Sequence, residues 1–421
     1  MLKVLKKPSS VMISIILALV VVYFAKDAKA YTEIPAKLYL SFLQMGITPL
    51  IFTSVSLAII NIFQKNKNGK MVKSYVYILL IGAILVSVAG IILSLLTDAG
   101  AVVAAKKEIK ELIEANFSNV IEITKNDPIE ALAKVGIKKF LQDLIPSNIF
   151  AAFSNGRVDQ VIIFAIVSGA AMGFFSRNQA LGTTYHISLK NINMIFKKIV
   201  DWALSILPLG VFFVLVTQLS NISWPIILSL TNFVLMNVAL LSVFTLISAL
   251  VIAVKSQMGI FRTLGCLKES ALIAFTTGNS FAVLTPLSES MSEELEFDRQ
   301  SIDLLFPLGL GIVRFGTILY FSCLIIFLAQ LYNVPLGIAD YFLVVFGSIT
   351  AASAASSTGI VNLKLLSIMA IPLGLPIELG LVLFAAVDTF VDPFRTLCTV
   401  FMNAGGAALA IGHKDMHHVK K

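Results

Sequence analysis

The chain has 421 residues, of which 57% are hydrophobic and 13% charged, with a mean hydropathy of +0.91. Soluble domains run at roughly 45–50% apolar and 25% charged, so these values exclude an ordinary soluble enzyme and indicate a polytopic membrane protein. The net charge of +8 would suggest nucleic acid in a soluble chain, but the basic residues gather at the ends of apolar runs, where membrane topology accounts for them.

The first residues, MLKVLKKPSS before VMISIILALVVVYFA, imitate a secretory signal. The chain beyond is apolar throughout, which makes this a retained first span. Apolar runs fall near 10–25, 37–63, 74–97, 158–176, 191–219, 224–254, 299–330 and 377–412. Several exceed the ~20 residues that cross hydrocarbon, so long, tilted helices are expected. If every run crosses once, one side collects Lys3, Lys6 and Lys7, the lysines at 65–73, the basic residues at 177–198 and 255–268, and the basic tail. That puts both termini in the cytoplasm. Segment 98–145 reads as a long external stretch of mixed charge. Cys266, Cys323 and Cys398 have neither pairing nor ligand spacing and read as small core residues. The four histidines lie outside the apolar runs, so no metal site and no histidine proton relay are expected.

Two stretches fit poorly as ordinary spans. Segment 258–292 passes through TTGNSFAVLTPLSES, and segment 341–376 is apolar around FGSITAASAASSTGIVN. Such Ser/Thr/Gly-rich centres leave backbone groups unsatisfied in lipid unless they are buried in protein or line a cavity. Two re-entrant hairpins are expected, with their tips meeting near the midplane, as at a transporter's binding site. Two loose amphipathic loops are the alternative.

The last run contains AVDTFVDPFRTLCTVFMN (386–403). Asp388, Asp392, Arg395, Thr399 and Asn403 follow at steps of 4, 3, 4 and 4, which keeps them within about 80° of one another on a helix. Ionisable groups in a membrane segment cost about 2.5–3.5 kcal/mol each even on the lenient insertion scale, so three in two turns need a reason. An internal ion pair holding helices together is the competing explanation.

Eight spans, hairpins before the seventh and eighth, and this stripe resemble the glutamate transporter homologues, the dicarboxylate/amino acid:cation symporters. MGITPLIF (45–52), IPSNIFAAFSNGRVDQVIIFAI (145–166), ILPLGVFF (206–213), PLGLGIVRFGTILY (307–320) and DTFVDPFRT (388–396) carry the likeness, which runs over about 10–412. The resemblance implies an all-α polytopic protein of eight transmembrane helices and two re-entrant hairpins, working as an elevator in a homotrimer. It divides the chain into scaffold spans 1–2 (1–73), transport-domain span 3 (74–97), an external loop with scaffold spans 4–5 (98–222), the rest of the transport domain (223–412) and a basic cytoplasmic tail (413–421).

The same resemblance implies the site. Arg395 matches the partner of a substrate side-chain carboxylate, which suits a bidentate guanidinium. Asp392 matches the acid that receives a substrate ammonium. Thr317, Thr399, Ser280, Asn279 and Gly359 complete the candidate substrate contacts. The family's seventh-span NMDGT reads Val313-Arg314-Phe315-Gly316-Thr317 here, its eighth-span sodium aspartate is Asn403, and its third-span Thr-Ser pair is Ile81-Gly82. Hard cations want oxygen ligands, preferably carboxylates, so these sodium positions look dismantled. Arg314, Lys364, Asp388 and Asn403 are candidates for coupling or charge compensation. The coupling ion stays open between sodium, protons and exchange; no cofactor and no bound metal are expected.

The expectation is a secondary active transporter of acidic amino acids, working in the cytoplasmic membrane. A transporter of neutral amino acids or C4-dicarboxylates and a non-transporting receptor are the alternatives. An enzyme is not expected, because the chain has no HExxH, GxSxG, Cys/His pair or phosphate loop.

Overall fold

A computed structural model describes residues 8–24, 28–65, 69–104, 145–154, 158–175, 179–219, 230–354, 366, 369–370, 372–375 and 377–411. Most of segment 98–145, the centre of the second expected hairpin with Gly359 and Lys364, and the tail at 413–421 lie outside the described residues. All regular structure within them is helical, without strands. In lipid a lone strand would expose its polar backbone, whereas a helix satisfies its own.

The helices are α1 (Pro8–Phe24), α2 (Ala28–Lys65), α3 (Gly69–Thr97), α4 (Ala99–Ala104), α5 (Ile149–Ser154), α6 (Val158–Phe175), α7 (Gln179–Ser205) and α8 (Leu207–Leu219). There follow α9 (Thr231–Lys255), α10 (Ile260–Thr277), α11 (Leu284–Glu289), α12 (Arg299–Ile312), α13 (Phe315–Leu331), α14 (Ile338–Ala354) and α15 (Ile377–Ala410). Four stretches among the described residues are long and apolar enough to cross a membrane: 30–57, 70–97, 231–255 and 299–331. Large apolar side chains on their outer faces, such as Tyr77 and Leu85 on α3 and Leu246 and Val254 on α9, are exposed. Such faces suit lipid better than water.

Two apolar runs are not the single helices that their length predicts. The run 191–219 divides into α7 and α8, bent by 64° about Ile206. Pro208 opens α8, where its ring cannot follow a continuous helix. The run 299–330 divides into α12 and α13. Between them Val313 and Arg314 leave the helical region, at φ/ψ of −130/119° and −105/78°.

In segment 258–292, α10 ends at Gly278 in the left-handed region (φ +60°), which favours glycine. A 3₁₀ turn (Ser280–Val283), α11 and a π-helical turn (Ser290–Glu294) then run back along α10.

The helices pack in two groups. In one, α2 lies against α6, α7 and α8, and α8 also packs on α1. In the other, α13 is enclosed by α3, α4, α14 and α15, while α9 and α10 flank α15. Nearly every residue of α13 from Phe315 to Ala329 is buried. Ser87, Ser322 and Ser348, all fully buried, join α3, α13 and α14, with Ser87 Oγ 2.7 Å from Ser322 Oγ and 3.0 Å from Ser348 Oγ.

A candidate substrate site on the last helix

The polar stripe lies within one continuous helix, α15, and faces inward. Side-chain exposure falls from 34% at Asp392 and 15% at Asp388 to 3% at Arg395, and Thr399 and Asn403 are buried. The partly open acids and the buried arginine meet at one point. Arg395 Nη2 donates to Asp392 Oδ1 at 2.5 Å and lies 2.7 Å from Asp388 Oδ1. Its Cζ stands 4.8 Å from the centre of the Tyr320 ring. Arg395 Nε and Nη1 have no hydrogen-bond partner among the described residues. An ion pair, a ring face and two unbonded donors thus share one guanidinium.

The turn of segment 258–292 closes on these acids. A Cβ added at Gly278 would sit 2.6 Å from Asp392 Oδ2, so only glycine lets the turn approach. Asn279 Oδ1 accepts from Phe281 N at 3.0 Å and caps the 3₁₀ turn. Ser280, half-buried, begins that turn. Phe275 of α10 meets Phe394 of α15 edge to face, with ring centres 5.1 Å apart. The backbone carrying Asn279 and Ser280 is therefore fixed beside the stripe.

Helix α13 starts against the same point. Gly316 presses on the Arg395 backbone, where a Cβ would overlap its carbonyl oxygen and Cα. Gly316 N donates to Thr399 Oγ1 at 3.0 Å. Thr317, half-buried, lies three residues before Tyr320 on one face of α13. Arg314 is half-buried in the break itself.

One turn further along α15, Asn403 Nδ2 donates to the Val313 carbonyl at 3.2 Å and to the Thr399 carbonyl at 2.8 Å. Tyr75 of α3 donates its hydroxyl to Asn403, 3.3 Å from the backbone oxygen and 3.4 Å from Oδ1. Ser353 Oγ of α14 lies 3.1 Å from the Ile312 carbonyl and 2.8 Å from the Ile349 carbonyl of its own helix. Phe315 lies against Gly82, where a Cβ would meet its ring at 3.0 Å, while Ile81 is turned outward and 58% exposed.

The fold thus brings together Asp388, Asp392 and Arg395 with the Gly278–Ser280 turn, and separately Thr399 and Asn403 with the break. Tyr320, Tyr75 and Ser353 complete these contacts and do not stand out in the sequence. For Tyr320 a signal exists, since it follows Thr317 by three residues on a helix. Tyr75 and Ser353 reach the site only through tertiary packing.

Residues 9–411 match the sodium:dicarboxylate symporter family. Among similar proteins is the proton/sodium-glutamate symport protein of Bacillus caldotenax, 23% identical over 98% of this chain and 95% of that protein. The C4-dicarboxylate transport protein of Bacillus subtilis (strain 168) is 23% identical over 94% and 89%. The proton/glutamate-aspartate symporter of Escherichia coli (strain K12) is 24% identical over 87% and 82%. With nearly its whole length matched, the chain belongs to the sodium:dicarboxylate symporter family of membrane transporters.

Proposed function

We propose that this transporter carries acidic amino acids, of the glutamate or aspartate kind, across the cytoplasmic membrane by secondary active transport. The observation that carries the reading is the Asp388–Asp392–Arg395 cluster. Two carboxyl groups meet one guanidinium, and Asp392 is the more open of the two. A substrate ammonium group pairs with Asp392. Nε and Nη1 of Arg395, without partners among the described residues, are the donors that a substrate carboxylate would meet, each on its own edge of the guanidinium.

Relatives named for C4-dicarboxylates favour a second reading. A dicarboxylate brings no cation to answer Asp392, which argues against it. Neutral amino acids would leave the Arg395 donors unanswered.

In this reading the chain forms eight spans with re-entrant hairpins at 258–292 and 341–376, and both termini are cytoplasmic. The helices of 1–73 and 98–222 form a scaffold, and 74–97 with 223–412 form a unit that moves as an elevator within a homotrimer. The two packing groups support that division. Thr317, Thr399, Ser280, Asn279 and Gly359 are further contacts, with Arg314, Lys364, Asp388 and Asn403 as coupling candidates.

Thermal shift of the purified protein against acidic amino acids, neutral amino acids and C4-dicarboxylates tests the reading, followed by uptake into proteoliposomes. The expected result is stabilisation by glutamate or aspartate that Arg395→Ala abolishes and Arg314→Ala keeps. The reverse pattern would move the carboxylate partner to the α12–α13 break. Binding without flux or exchange would make the protein a receptor.

A further inference from the structure

The family is named for sodium, and a broken membrane span is where such an ion is expected. Unwound carbonyls and the carboxyl ends of half-helices coordinate it in transporters with discontinuous helices. A sodium ion needs oxygen lone pairs aimed at it, with carboxylates preferred. Among the described residues the break between α12 and α13 offers no carboxylate, and its Val313 carbonyl is already engaged. That carbonyl accepts from Asn403 Nδ2. The orientation of the Asn403 amide follows from its neighbours. Its nitrogen faces two carbonyl oxygens, Val313 O and Thr399 O, and only a donor can sit there. Its Oδ1 in turn accepts from Tyr75.

Space is closed as well as charge. A Cβ on Gly309 would overlap both the Tyr75 hydroxyl and Asn403 Oδ1, so these groups press directly on α12. On the other side of the break the Phe315 ring lies on Gly82 with Met402 behind it. Tyr75, Phe315 and Asn403 are 0–2% exposed. The nearest acid on α15, Asp392, is eleven residues before Asn403, which is about 16 Å along the helix.

We infer that Asn403, with Tyr75 and Phe315, closes the ion position of the broken span with hydrogen-bond donors and an aromatic ring, so that the site assembles without sodium. The amide N–H of Asn403 supplies from within the chain the positive hydrogen that a bound cation would otherwise bring to the Val313 carbonyl. Asn403 is a positioning residue here, since it fixes the break from which α13 carries Tyr320 to Arg395. The substrate arm of the following test rests on the acidic amino acid reading; the sodium arm does not.

The full-length protein is compared in sodium chloride and in choline chloride at equal ionic strength, first without substrate by melting temperature, then with L-aspartate and L-glutamate by titration. The expected result is one melting temperature in both salts and affinities that differ by less than about twofold. Saturable stabilisation by sodium alone, or affinity rising about tenfold or more with sodium, would overturn the inference. If neither amino acid binds, the substrate reading fails while the melting arm still decides the ion question. Asn403→Asp replaces donors by a carboxylate and is expected to melt lower in choline and to regain stability in sodium. Full stability of that variant in choline would remove the role given to Asn403. Should it fail to fold in either salt, the wild-type comparison decides alone.

Discussion

A guanidinium buried in the middle of a membrane helix needs partners on several sides, and Arg395 has Asp388, Asp392 and the face of Tyr320. Removing one partner of such a buried group costs about 3–5 kcal/mol, because the other charge is left uncompensated. Lysine cannot replace it, since an ammonium presents a point charge where a planar fork meets two acids and a ring. Arg395→Lys is therefore expected to weaken glutamate or aspartate binding by about 2–4 kcal/mol, roughly 30- to 1,000-fold, measured by titration of the purified variant. Asp392→Asn acts in the opposite sense on specificity. It removes the acid that answers an ammonium and leaves the Arg395 fork, so affinity for an acidic amino acid should fall while affinity for succinate, which carries no ammonium, should rise. A variant that loses both ligands equally would mean that Asp392 only holds Arg395 in place.

At the scale of elements, glycine decides how closely the parts of the site approach. Gly316 lets the start of α13 rest on the Arg395 backbone, and a methyl there has only backbone to push against. Gly316→Ala is expected to destabilise the protein by about 1–3 kcal/mol, seen as a lower melting temperature without substrate, since backbone yields less readily than a side-chain end. An unchanged melting temperature would mean that α13 and α15 can move apart at no cost. The stripe itself was legible, because its 4-3-4-4 spacing needs only the helix period. The reversal at Gly278 was legible too, since Thr-Thr-Gly-Asn-Ser interrupts an apolar run. The α12–α13 break has no clear local sign, although Gly309, Gly311, Arg314 and Gly316 crowd one part of the run. The contact that meets it comes from Asn403 on α15, ninety residues away in the sequence. The bend between α7 and α8 had a local sign in Pro208, hidden within an otherwise unbroken apolar run.

At the scale of the whole molecule, the two packing groups meet along a seam where α12 lies on α2 and the return arm from Gly278 faces α7. The seam differs from the core on both sides. A cavity of about 340 Å³ runs along it, lined by Ser54, Lys190, Asn193, Lys197, Ser288 and Arg299 among others. An ion pair across the groups, Lys197 Nζ to Glu289 Oε1 at 2.8 Å, is 30% and 45% exposed. Pairs that open to their surroundings contribute roughly 0–1 kcal/mol, so this one holds the groups weakly while the buried Asp388–Asp392–Arg395 cluster stays within one group. A loosely paired seam with a cavity along it, beside a densely packed core, suits sliding of one group past the other. If that sliding carries the substrate, Lys197→Cys with Glu289→Cys, joined by a short thiol cross-linker in a Cys266→Ser background, should stop proteoliposome uptake while leaving aspartate or glutamate binding intact. Reversing the cross-link should restore flux. Uptake that continues at the uncross-linked rate would show that α7 and the Gly278 arm stay together through the cycle, and the moving boundary would have to lie elsewhere in the chain.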